Sequence, residues 1–149
     1  MRYLTIILTC CILLAGCAHI ISKESRDLVD STVSFHMIKE KPEAYQGIIV
    51  MIGGVIAAVR NSSAGGEIEI VQHELDYRGR PEPSSMSTGR FLARSNKFLD
   101  PLVFLRGHHV TVVGRVEGRE KRFLDGVSYS YPVVSIRELQ LLKPDQDSP

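Results

Sequence analysis

The chain has 149 residues, 44% of them hydrophobic and 23% charged, with 18 basic and 17 acidic side chains. That length sets a single domain as the prior. The near-neutral balance removes the usual footprint of a nucleic-acid binder, a basic excess that neutralises phosphates, so no nucleic-acid partner is expected.

In chain order, Met1-Arg2 supplies a short positive start, and Tyr3 to Leu14 is an apolar stretch broken only by Thr5 and Thr9. Small residues follow. This is the pattern of a secretory signal peptide, residues 1–16; it is too short to be a membrane span, which needs about 20 apolar residues. Leu14-Ala15-Gly16-Cys17 resembles the lipobox of bacterial lipoproteins, which implies cleavage between Gly16 and Cys17 and acylation of Cys17. A thiol is the best side-chain nucleophile near neutral pH. Of the three cysteines, Cys10 and Cys11 leave with the signal and Cys17 is used by lipid. No disulfide, zinc knuckle or cysteine nucleophile remains for the mature chain.

Residues 17–33 are polar and mixed in charge and read as a lipidated tether, with a helical turn around Leu28 and Val29. Residues 34–142 read as the folded domain and 143–149 as a polar tail. Ser34 is placed to cap a short helix through Phe35, Met37 and Ile38. Pro42 suits the first turn of a second helical piece ended by Gly47. Strands follow: Ile48–Arg60, apolar on both parities with Gly53-Gly54 inside; Glu67–Leu75, with Glu67 and Glu69 on a face expected to be solvated; Gly89–Ser95; His109–Glu117; and Val127–Leu142, whose parity slips at Val133-Val134 beside Pro132. Phe98–Leu105, interrupted by Asp100-Pro101, reads as a turn with a hydrophobic plug.

Gly47-x-x-Val50-x-Ile52-x-Gly54-x-Ile56 recurs as Gly107-x-x-Val110-x-Val112-x-Gly114-x-Val116. Each copy is a glycine turn feeding a strand whose interior needs a glycine. Five strands, a leading helix and two glycine-bent strands fit a mainly β fold, a small five-stranded OB-like barrel, with a β-sandwich as the alternative. In the barrel, Val50, Ile52, Val110 and Val112 point inward, and Gly54 and Gly114 sit inside strands.

Chemistry is sparse. His108 and His109 are adjacent, but neighbours on a strand point to opposite faces, and no second ligand motif lies nearby; no metal or cofactor is expected. The segment 76–89 carries Arg78 and Arg80, with Arg90 and Arg94 close behind. Guanidinium forks suit carboxylate and phosphate, making Arg78, Arg80, Arg90 and Arg94 the candidate binding residues. The chain holds no Gly-x-Ser-x-Gly, His-Glu-x-x-His, Walker or dinucleotide motif, so no catalytic residues are assigned and no enzyme is expected.

Pro42-Glu43-Ala44-Tyr45-Gln46-Gly47, Arg78-Gly79-Arg80-Pro81, Gly89-Arg90-Phe91-Leu92-Ala93, Phe98-Leu99-Asp100-Pro101, Val110-Thr111-Val112-Val113-Gly114 and Tyr131-Pro132-Val133 resemble, in order and spacing, the Slp family of outer-membrane lipoproteins. The resemblance implies a lipid-anchored outer-membrane protein of the Gram-negative envelope, associated with starvation or envelope stress. Membrane lipid bound through Cys17 would be its first partner. Ala18-His19 after the cysteine, in place of an Asp, fits outer-membrane sorting. The expected role is structural and non-catalytic. The alternative is an OB-type module recognising an envelope glycan, an anionic lipid or a protein partner. One departure is Leu139-Gln140-Leu141-Leu142 at the last strand, where family members often carry Trp.

Overall fold

The two copies of the glycine pattern lie side by side. In the computed structural model, which describes residues 18–82 and 86–142, β1 (Ile49–Ser62) pairs antiparallel with β4 (His109–Leu124). Val50 stands opposite Gly114, Ile52 opposite Val112 and Gly54 opposite Val110. The match extends to the flanking turns. Gly47 donates its amide to the Val116 carbonyl at 2.8 Å, and Gly107 donates to Ile56 at 2.9 Å. Gly47 and Gly107 have φ of +88° and +90°, values that glycine adopts at little cost. The sequence echo is therefore a local pseudo-twofold at the heart of the sheet.

The interior glycines exist for close approach. A Cβ on Gly54 would lie 1.9 Å from the Val71 carbonyl oxygen, and one on Gly114 2.4 Å from that of Ser135. Both carbonyls belong to the next strand round, β2 (Gly65–His73) and β5 (Val127–Leu142). With β3 (Arg90–Ser95), the strands close in the order β1-β2-β3-β5-β4. All pairings are antiparallel except β3 with β5. This is the five-stranded barrel of the OB type.

Alternation fills the barrel with Val50, Ile52, Ile56, Ile68, Ile70, Phe91, Ala93, Val110, Val112, Val116 and Val134. The slip at Val133-Val134 has its counterpart on β4, where Val116 pairs with Val134 and Gly118 with Val133, leaving Glu117 as the extra residue of a bulge. Val134 enters the barrel core, while Val133 joins Leu92 and Tyr131 in a second apolar cluster.

One end of the barrel is plugged by α2 (Phe35–Glu40), capped by the Ser34 hydroxyl, and by the 3-10 turn Pro42–Tyr45. Phe35 meets Phe91 with ring centroids 5.7 Å apart. Leu99 closes the other end, held by a reciprocal pair of hydrogen bonds between Asn61 and the Leu99 backbone, at 2.8 and 2.9 Å. Of the apolar run 98–105, however, Phe98, Leu102, Val103 and Leu105 stay exposed, so the plug is Leu99 with Phe104 behind it.

Two expectations need correction. The stretch read as a tether is docked on the barrel from its first described residues. Ile20 donates its amide to the Arg78 carbonyl at 3.0 Å, and Asp30 to Ile49 at 2.9 Å. Ile21 is 1% exposed, and Ser22 bonds Glu138 through its amide and its hydroxyl. The helical turn is α1 (Lys23–Arg26), not Leu28-Val29. A polar sequence with one well-placed Ile and a buried Ser25 is enough to hold it. Second, β4 does not stop at Glu117. It runs to Leu124 and returns through Asp125-Gly126, with φ of 49° and 80°. Positive φ at both central residues marks a type I′ hairpin turn. The signal segment 1–16, Cys17 and the tail 143–149 lie outside the described residues.

Candidate functional site

In an OB barrel the outward face of β2 and β3, flanked by the β1–β2 and β4–β5 loops, is where oligonucleotides and oligosaccharides are bound. In this chain alternation puts Glu67, Glu69 and Val71 of β2 and Arg90, Leu92 and Arg94 of β3 on that face, opposite the core residues Ile68, Ile70, Phe91 and Ala93. The long β4–β5 arm curls over it. Cross-strand partners Glu120 with Tyr131 and Arg122 with Tyr129 share one side of the arm, and that side closes on β2 and β3.

Apolar contact and ion pairs hold the closure. Tyr131 and Val133 pack on Leu92, with Tyr129 behind. Glu67 accepts from Arg94 Nε at 2.9 Å and from both terminal nitrogens of Arg122 at 2.6 and 2.9 Å. Such two-pronged contacts suit the planar guanidinium. Glu69 accepts from Arg60 at 3.0 Å, Arg90 at 2.8 Å and the Tyr131 hydroxyl at 3.0 Å. Glu120 accepts from Arg94 and Arg122, closing the ring. The Tyr129 hydroxyl accepts from the Arg90 amide at 2.8 Å.

Burial pushes the Glu67 carboxyl upward, but the bonds from Arg122 and Arg94 outweigh it, and its pKa lies below the ordinary 4.5. Glu69 behaves alike: burial is opposed by Arg90, Arg60 and Tyr131, and the net shift is downward. In Glu120 the Arg94 bond dominates and lowers the pKa. Tyr131 is raised by burial and by its carboxylate partner. Four guanidiniums against three carboxylates leave the lattice nearly neutral, so the arm's arrival is matched electrostatically.

Glu67 and Glu69 therefore do share a face, but it is covered rather than solvated, and Glu69 is only 4% exposed. The four candidate arginines do not converge. Arg90 and Arg94 are committed to the lattice. Arg78 and Arg80 belong to a separate loop tied by the Asp76 carboxylate, which accepts from both their amides at 2.8 Å. That loop sits on the outward side of β4, where the Thr111 hydroxyl donates to the Gly79 carbonyl at 2.6 Å. Arg78 lies over the Tyr77 ring, 5.3 Å from its centroid, and the His19 ring packs on Gly79. The groove left beside the lattice, about 420 Å³, is lined by Arg60, Arg94 and Arg122 with Glu67 among them, and each of these arginines is already paired with a lattice carboxylate. His108 precedes β4, and among the described residues no three His, Cys, Asp or Glu side chains come together as a metal site. The residues missed in sequence, Glu120, Arg122, Tyr129 and Tyr131, are announced by one signal: Asp125-Gly126 between Leu124 and Val127.

Residues 14–149 match the family model described as "Outer membrane lipoprotein Slp family". The chain belongs to the Slp family of outer membrane lipoproteins. It is 31% identical over 137 residues to the outer membrane protein Slp of Escherichia coli K12, covering 91% of this chain and 72% of that protein. It is 34% identical over 99 residues to the lipoprotein YeaY of the same organism, covering 66% of this chain and 51% of that one. Among solved structures, it is similar to a small single-stranded DNA-binding protein from Streptomyces coelicolor (TM-score 0.37, 16% identity, 64% of this chain and 94% of that one). It is also similar to the mitochondrial single-stranded DNA-binding protein Rim1 of S. cerevisiae (TM-score 0.38, 12% identity, 66% and 97%).

Proposed function

We propose that this Slp-family protein is anchored by acyl chains on Cys17 and works as a non-catalytic contact module, holding its barrel at the surface of the outer membrane for structural or protein contacts. The observation that carries this reading is the covered OB face. The surface on which such barrels take ligands is closed by the protein's own arm, and the carboxylates beneath it are saturated by arginines. The docked N-terminal segment adds to it. Chain geometry allows about 3.3–3.6 Å per residue, so an anchor at Cys17 leaves almost no slack before Ile20 bonds the barrel. Several acyl chains give near-permanent attachment, where a single one is marginal. The ligand-binding alternative loses its four-arginine cluster.

Incorporation of labelled palmitate is expected in the wild type and absent in Cys17→Ser; labelling that persists overturns the anchor. Thermal unfolding of the mature protein is expected to be unmoved by envelope glycans. A midpoint that rises with glycan concentration, as mass action requires of a ligand, overturns the contact-module reading in favour of binding.

A further inference from the structure

The loop between β3 and β4 exposes an unusual run of apolar side chains. Phe98 is 70% exposed and Leu102 83%, and Val103 and Leu105 beside them are also open to solvent. Exposed single apolar residues are ordinary, but a contiguous set on a short loop marks a contact surface. The loop is not slack chain. Asp100 organises it, its carboxylate accepting from the Leu102 amide at 2.8 Å and its carbonyl from Val103 and Phe104 at 3.0 and 2.9 Å. Leu99 anchors one end in the barrel and Gly107 ties the other to Ile56. The side chains are thus displayed on a rigid base, with Lys97 and Arg106 at the two edges.

The placement of the N-terminal segment says what lies opposite. Going backward along the chain, Asp30 bonds Ile49, which pairs with Arg115; Ser22 bonds Glu138, which pairs with Val113; and His19 packs on Gly79, whose carbonyl is held by Thr111. The segment therefore climbs the outside of β4 from Arg115 toward its first residue, His109, and the apolar loop ends where β4 begins. The described chain thus begins beside the first residues of β4, the strand into which the apolar loop leads, while helix α2 plugs the barrel end opposite Leu99.

We propose that the loop Phe98–Leu105 is a membrane-contacting element, its apolar side chains entering the boundary between headgroups and acyl chains of the bilayer that holds the anchor. This rests on the anchor reading above. Apolar residues flanked by Lys97 and Arg106 suit an interfacial position, where burial of side chains and attraction to anionic headgroups add. With the lipid and the loop both engaged, the barrel would stand end-on, α2 pointing away from the membrane.

The protein contains no tryptophan, so a single introduced one reports its own surroundings. Lipidated full-length Leu102→Trp and Glu40→Trp, the latter on exposed α2, are reconstituted into phosphatidylethanolamine–phosphatidylglycerol vesicles with and without brominated acyl chains. Leu102→Trp should show a blue-shifted emission that the brominated lipid quenches, and Glu40→Trp neither. Flotation of the vesicles separates the two claims. Protein that fails to float overturns the anchor reading and this inference with it. Protein that floats with Leu102→Trp unquenched overturns the loop alone. A blue shift without bromolipid quenching also overturns it, since the loop is then covered by a protein surface.

Discussion

Glu69 is the point at which three elements meet the arm, and its removal is the sharpest perturbation of the closure. Glu69→Ala strips partners from Arg60 on β1, Arg90 on β3 and Tyr131 on β5. The cost is unequal. The Arg60 side chain is 51% exposed and that of Arg90 32%, so both recover water and lose little, below about 1 kcal/mol each. The Tyr131 hydroxyl sits on a residue 2% exposed and is left unsatisfied, which costs about 1–3 kcal/mol. The total is about 2–4 kcal/mol, a fall of roughly 5–15 °C in melting temperature for a domain of this size. Glu69→Gln keeps an acceptor for Tyr131 and should lose about half as much. Urea unfolding of both variants, with a double-mutant cycle through Tyr131→Phe, measures it. The cycle should return a coupling of about 1 kcal/mol. A loss under about 0.5 kcal/mol in Glu69→Ala, with no coupling, would refute the reasoning.

Acid should loosen the lattice. The Glu67, Glu69 and Glu120 carboxyls are depressed below 4.5 in the folded state, so their contribution is complete above that pH and is lost as pH falls through the depressed values. A pH titration of stability should fall more gently below 4.5 in Glu67→Gln than in the wild type. Gly54→Ala, whose Cβ would meet a backbone carbonyl at 1.9 Å, should cost at least about 3 kcal/mol or abolish folding. Gly107→Ala, with open space but positive φ, should cost about 1–2 kcal/mol; equal losses in denaturant titrations would contradict the close-approach argument. Ile21→Ala should destabilise the mature domain by about 2–4 kcal/mol, whereas a free tether would register nothing in the same titration.

The barrel was legible because each of its strands is buried on a parity that alternation reveals. The glycine echo marks β1 and β4, where Gly54 meets the Val71 carbonyl of β2 and Gly114 that of Ser135 on β5. What hid the closure is the chemistry of the arm. Nothing in the run of charges Arg119-Glu120-Lys121-Arg122 announces that Glu120 and Arg122 face the arginines and carboxylates of β2 and β3. Glu67 and Glu69 were placed on the right face, but solvation depends on a segment more than 50 residues away in sequence. The same non-locality explains residues 18–33, where a single Ile21 among polar residues docks the chain through partners on β1, β5 and the loop after β2. In the Arg78–Arg80 loop the guanidiniums draw the eye in sequence, but its order comes from the Asp76 carboxylate and the Gly79 carbonyl. An apolar loop longer than the opening it covers must display the remainder, which is why 98–105 gives the plug only Leu99 and Phe104.

The central claim is that the β4–β5 arm lies closed on β2 and β3, and hydrogen exchange of the arm in the native protein tests it most directly. An isolated two-stranded hairpin is at best marginally stable in water, so protection of residues 119–131 reports docking rather than pairing alone. Amides of Glu120, Arg122 and Tyr131 are predicted to exchange slowly, through openings close in free energy to those of the barrel strands, and to speed up together in Glu69→Ala. Exchange in the wild type at the rate of an exposed loop would show that the face is open and would contradict the account.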